Sequence, residues 1–320
     1  MPMTNPWGLR DEAGAVSVIE GEVASPSAED DSGGARRFLE SPRFLLASAL
    51  LILSILCLGF LANLLIVSQL VHARDQEVLY SDFRSELANA IAPVGQTDVT
   101  GALLRPGAPV AVLEIPDLGM KEVVVEGTTS TVTQSGPGHK RDTVLPGQPG
   151  TSVIYGRQAA FGGPFGQLEI LQPGMTIVAT TGQGPAEYVV TGVRRPGDPL
   201  PPTLQQGQGR LTLVTAMGPR FMPTDLLRVD AQLVTGAQPA PGRIITAAAL
   251  DPAEMAMAGD PAGLVPLLLW LQLLLVVAVA TVWLVVRWGK WQAWLVAAPI
   301  VFFAGVMASM SALRILPNLL

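Results

Sequence analysis

The chain has 320 residues, of which 49% are hydrophobic and only 14% charged, with a formal net charge of −6. A soluble protein carries roughly 25% charged residues, so this balance points to membrane segments. The negative sum gives no basic face to neutralise phosphates and argues against a nucleic-acid partner. Cys57 is the sole cysteine, so no internal disulfide forms, and without clustered His or carboxylate ligands no metal or other cofactor is expected.

Residues 1–43 are rich in Ser, Gly, Asp and Glu, and Glu29-Asp30-Asp31 is their most acidic point. Such a stretch buries too little apolar surface to fold and reads as a disordered tail. An apolar run from Phe44 to Leu70 follows, assigned as a first transmembrane helix over 44–71. It is too long for a signal-peptide core and reads as an uncleaved anchor. Asn63 inside it is a polar group in hydrocarbon that wants a hydrogen-bonding partner.

Residues 72–107 read as a stalk helix and linker. Leu79, Phe83, Leu87 and Ile91 recur at four-residue spacing among Asp and Glu, one apolar stripe that leans on a folded domain. Pro93 and Gly95 end the helix. From 108 to 236 the pattern changes to short strands over 110–115, 121–126, 152–155, 175–181, 186–195, 210–216 and 226–234, punctuated by Gly and Pro. Seven or eight short strands without a long helix among them predict a closed β-barrel, which also hides their edges.

A Pro/Gly/Ala linker over 237–262 returns to the membrane, and two further apolar runs give transmembrane helices at 264–286 and 291–312. Arg36, Arg37 and Arg43 precede the first span, and Arg287 and Lys290 fill the loop between the second and third. By the positive-inside rule both sites are cytoplasmic, which puts the barrel outside the cell membrane. Five of the six tryptophans lie in the C-terminal hairpin, suited to the headgroup level. Gly305 and Ser309 form a small-xxx-small pair for close helix contact, with the second span or with another membrane protein.

Several stretches of the barrel segment carry a resemblance. They are Leu113-Glu114-Ile115-Pro116, Val125-Glu126-Gly127, Gly136-Pro137-Gly138-His139, Leu145 to Gly150, Val153-Ile154-Tyr155-Gly156-Arg157, Phe161 to Phe165, Leu171-Gln172-Pro173-Gly174 and Leu211-Thr212-Leu213-Val214-Thr215-Ala216. In order and spacing the segment resembles the sortases, cell-surface transpeptidases, and most of all the actinobacterial class E enzymes. The resemblance implies a mainly β fold, a sortase-like closed barrel carried on three transmembrane α-helices. It also implies a cysteine nucleophile, a histidine and an arginine. At those positions this sequence has Ala216, Arg157 and, in the alignment adopted, Leu226, with Arg228 two residues on as a stand-in for the arginine. An alanine offers no nucleophile, and an arginine cannot act as a base.

The expectation is therefore a pseudoenzyme without catalytic residues, acting as a subunit or scaffold of a cell-envelope membrane complex. An ABC-type transporter subunit is one partner of that kind. The alternative is a groove, floored near Tyr155, Thr212, Thr215 and Arg228, that binds a sorting-signal-like peptide or envelope precursor without cleaving it. A third reading is an enzyme using the hydroxyl of Thr212 or Thr215, for which no activating base is at hand. His139 is read as structural, bonding a turn. Membrane contact is assigned to Asn63, Gly305 and Ser309.

Overall fold

The computed structural model describes residues 42–320. The tail expected over 1–43 falls, but for its last two positions, outside them. The chain divides into a unit ending at Leu53 and a unit of Ser54–Leu320, which holds the features below. Helix α1 (Pro42–Ala62) passes through a π-helical turn, Asn63–Val67, into α2 (Ser68–Ala88). Eight strands follow: β1 (Pro109–Ile115), β2 (Met120–Glu126), β3 (Gly138–His139), β4 (Gly150–Tyr155), β5 (Thr176–Thr181), β6 (Gly184–Arg194), β7 (Gly209–Met217) and β8 (Asp225–Leu233). Helices α3 (Leu264–Trp288) and α4 (Lys290–Ile315) complete the chain.

The strands close into a barrel in the order β1-β2-β3-β4-β7-β8-β6-β5, with β5 returning to β1. Most neighbours are antiparallel; β2–β3 and β4–β7 are parallel. Alternation sends Leu113, Ile115, Ile154, Ile177, Tyr188, Leu211, Leu213 and Val229 into one core. The tight link from β1 to β2 is a single turn over Pro116–Leu118 capped by Gly119 at φ 60°, a left-handed conformation that glycine adopts without strain. Tyr188 is buried in that core, and its hydroxyl accepts the Gly147 amide at 2.6 Å; burial pushes the phenol up to about 12.

The apolar stripe on α2 packs on β1 and β2. Phe83 is fully buried with Val112 and Val123, flanked by Leu79 and Leu87. One turn earlier in the contact, Gln76 reads both backbone groups of Val123. Its Oε1 accepts the Val123 amide at 2.6 Å and its Nε2 donates to the Val123 carbonyl at 3.1 Å. Ile91, the last member of the stripe, lies beyond the helix end and is exposed, because Asn89 caps the Ser85 carbonyl and Ala90 turns to φ 55°.

Among the described residues, three helices are long and apolar enough to cross a membrane: Leu53–Ala88, Pro261–Leu284 and Trp291–Ile315. α3 and α4 form a hairpin about Gly289, tied by an edge-to-face contact of Trp270 on Phe303 with ring centres 5.8 Å apart. α4 also meets the first helix: Asn63 Nδ2 donates to Ser309 Oγ at 2.8 Å in a buried bond, and Gly305 faces Leu56, where an added Cβ would sit in ordinary contact at 3.5 Å. The polar group of the first span thus has its partner inside the same chain.

Replacing Phe83 by alanine is expected to cost about 3–5 kcal/mol, the usual range for a buried Phe→Ala, and to free α2 from the barrel. Thermal unfolding of the purified protein, with proteolysis after residue 88 as a second readout, checks this.

Candidate functional site

The ends of β4 and β7 converge because these two strands run parallel in strict register, from Gly150 opposite Gly209 to Tyr155 opposite Val214. The Gly156 amide continues the ladder to the Val214 carbonyl at 3.0 Å. Gly156 has no alternative here, since a Cβ would lie 2.3 Å from the Phe165 ring. On the other side of β7, the antiparallel register sets Leu226 directly across from Ala216 and Arg228 across from Val214. Arg157, two residues past β4, Ala216 on β7 and Leu226 on β8 therefore arrive at one end of the barrel.

What stands there is an apolar cluster. Tyr155, Val214 and Ala216 are buried together with Leu319, and Val153, Leu226, Ala256 and Met257 pack around them. Ala216 is 2% exposed. Burial raises the Tyr155 phenol, and the nearby Arg228 charge pulls it partly back. The Arg228 guanidinium forms no hydrogen bond or ion pair among the described residues.

Thr212 shares the face of Val214 and Ala216, but its hydroxyl donates to Asp230 Oδ1 at 2.8 Å, and Asp230 is also held by Arg194. Thr215 alternates with them and falls on the side of Leu211 and Leu213; its hydroxyl is buried and meets no partner among the described residues. No imidazole stands beside either threonine in the hydrogen-bond network.

Arg157 is completely buried. Its Nε donates to the Thr133 carbonyl at 3.2 Å, Nη1 to the Pro317 carbonyl at 3.2 Å, and Nη2 to the Ser130 carbonyl and hydroxyl at 2.8 and 2.9 Å. The Phe161 ring lies 5.0 Å from its guanidinium carbon. No carboxylate among the described residues pairs with it, and burial pulls the guanidinium down to about 9. It remains charged at neutral pH and serves as a hub for backbone carbonyls.

His139 lies on β3, next to β4. Its Nδ1 is 2.8 Å from Glu126 Oε2 and its Nε2 is 2.9 Å from the Val144 carbonyl. Two acceptors facing the two ring nitrogens fit a protonated imidazole. Arg141 reaches Glu254 from the same network and so ties the segment before α3 to the barrel. The role of Glu126 has no sequence signal beyond the spacing of a polar residue at a strand end.

The Sortase family model, described as a sortase domain, matches residues 113–233. Sortase E from Streptomyces avermitilis is 32% identical; the match covers 41% of this chain and 91% of that one, with a TM-score of 0.35. Sortase E1 from Streptomyces coelicolor, solved with a tripeptide in the active site, is 25% identical over 41% of this chain and 91% of that one, with a TM-score of 0.37. The sortase D5 transpeptidase of Clostridium perfringens is 23% identical over 52% and 99% of the two chains, with a TM-score of 0.39. No curated protein gives a significant match. On the matched family model, residues 113–233 of this chain are a sortase domain.

Two outcomes follow from these contacts. Arg157→Leu strips donors from the carbonyls of Ser130, Thr133 and Pro317 at once and is expected to cost on the order of 3 kcal/mol, read as a lowered melting temperature. For His139, burial alone lowers the imidazole, but Glu126 and the Val144 carbonyl leave it raised above 6.5 on balance. A base raised in the folded state adds stability that is complete below pH 6.5 and is lost as the pH climbs through the folded value. Melting temperature should therefore fall with pH over that window, and His139→Gln should flatten the profile.

Proposed function

We propose that this chain is a sortase-family membrane protein that has given up transpeptidation and works as a subunit or scaffold of a cell-envelope membrane complex. The observation that carries the reading is the apolar closure of the end of β7. Ala216 supplies only a methyl group, and it lies under Leu319 beside Leu226. Transpeptidation needs a nucleophile, an acid–base partner and a stabiliser of the developing charge at one point. In this reading Ala216, Arg157 and Leu226 occupy those places, and Arg157 is fully engaged in holding carbonyls.

The membrane part supports the second half of the proposal. Leu268, Val276, Phe302 and Phe303 leave large apolar side chains exposed on a three-helix assembly, surface that lipid or another membrane protein covers. The proposed orientation keeps residues 1–43 and the Arg287–Lys290 turn cytoplasmic and the barrel outside. An integral-membrane partner, of which an ABC-type transporter subunit is one example, is the expected neighbour. The second reading, non-cleaving capture of a sorting-signal-like peptide, is favoured by the apolar floor formed by Tyr155, Val214 and Ala216.

The purified full-length protein, incubated with sorting-signal peptides and an amine acceptor, should yield no product above the protein-free control by mass spectrometry. Product formation abolished by Thr215→Val would instead establish a hydroxyl enzyme. Affinity purification from native membranes in mild detergent should bring down a stoichiometric integral-membrane protein. Recovery of the bare chain alone would remove the subunit reading.

A further inference from the structure

The cluster at the end of β7 owes its lid to a segment of the same chain. α4 ends at Ile315, and Leu316 turns at once to an extended conformation with φ −61° and ψ 147°. The segment Leu316–Leu320 then crosses the ends of β4 and β7, where it is not part of any strand.

All five of its backbone carbonyls accept hydrogen bonds. Those of 316 and 317 are met by Ser130 Oγ at 2.7 Å and Arg157 Nη1 at 3.2 Å. That of 318 is met by Thr133 Oγ1 at 2.9 Å. Those of 319 and 320 are met by the amides of Gln158 at 2.9 Å and Ala160 at 3.2 Å.

Two side chains add selectivity. Leu319 is completely buried against Tyr155, Val214 and Ala216. Asn318 is completely buried and donates through Nδ2 to the carbonyls of Thr128 at 2.6 Å and Met255 at 2.9 Å. Its Oδ1 meets no donor among the described residues, so the fit is not saturated.

We propose that residues 316–320 are a built-in peptide ligand: the ends of β4 and β7 form a binding site for a short extended peptide, and the protein fills it with the segment that leaves its last membrane helix. Recognition through a row of main-chain carbonyls, one apolar socket and one carboxamide is the manner in which proteins hold extended peptides. The barrel core is a separate cluster and is complete without the segment.

The occupant is coupled to the membrane at both sides of the groove. Asp260, just before α3, donates its amide to the Arg314 carbonyl at 3.1 Å, and Ala258 accepts the Asn318 amide at 2.9 Å. A Cβ on Gly259 would lie 2.1 Å from the Ile315 carbonyl oxygen, so the helix end is seated tightly against that turn. Displacement of α4 relative to the barrel therefore withdraws the segment and uncovers Ala216. This assignment goes beyond the loss of chemistry and does not depend on it.

A thiol under the lid reports on it. In detergent-purified full-length protein carrying Cys57→Ser and Ala216→Cys, the introduced thiol should react slowly with iodoacetamide. Removal of residues 316–320, or Asn318→Ala with Leu319→Ala in the intact chain, should raise the rate roughly tenfold or more, as expected when a site protected by local structure is opened. In the truncated protein, excess synthetic peptide Leu-Pro-Asn-Leu-Leu should restore the slow rate. Circular dichroism and melting establish that the barrel is still folded. Equal rates with and without the grip of Asn318 and Leu319 overturn the proposal. So does a truncated, folded protein that the peptide does not protect. If both variants lose the barrel, the segment is core rather than ligand, and the proposal falls.

Discussion

One buried cation organises the region where strand ends, loops and the last helix meet. Placing a guanidinium in a protein interior without a carboxylate carries a large desolvation cost, offset only if its donors are spent on strong acceptors. Arg157 spends them on carbonyls from Ser130, Thr133 and Pro317. A planar fork with fixed donor directions reaches partners on different segments at once, which an ammonium on a flexible stem does poorly. The loop after β2 and the segment after α4 are thereby pinned to the end of β4.

The neighbouring His139–Glu126 pair repeats that logic with opposite bookkeeping. There a fully buried imidazole has a carboxylate 2.8 Å away, and its second nitrogen faces a carbonyl. Arg141 carries the charge network outward to Glu254 and holds the linker that enters α3. The membrane hairpin is thus fastened to the barrel where it begins and where it ends.

How much of this was legible in the residues differs by element. The barrel strands were, because β-branched runs cut by Gly and Pro leave little alternative, and each expected strand falls within a few residues of an observed one. β3 was not: two residues, Gly138 and His139, are too few to show alternation. Ala216, Arg157 and Leu226 could be named from motif order, but their convergence rests on the parallel register of β4 and β7, a tertiary fact. Asn63 and Ser309 each stood out as polar in an apolar run, while their pairing joins residues 246 apart. The return of Leu316–Leu320 left no pattern, since Leu-Pro-Asn-Leu-Leu reads as the tail of an apolar helix.

The π-helical turn at Asn63–Val67 sets a phase. At its first residue, Asn63 looks toward Ser309 on α4; after it, Gln76 and Phe83 look toward β1 and β2. A turn closed i→i+5 holds one residue more than its α-helical equivalent, which offsets everything downstream by about 100° around the axis. The bilayer-packing face and the barrel-packing face can then be cut on one continuous rod at angles a regular helix would not allow. The number of residues between Asn63 and Gln76 is accordingly a rotational setting. A single insertion or deletion there would swivel one half of the molecule against the other while leaving every local preference intact.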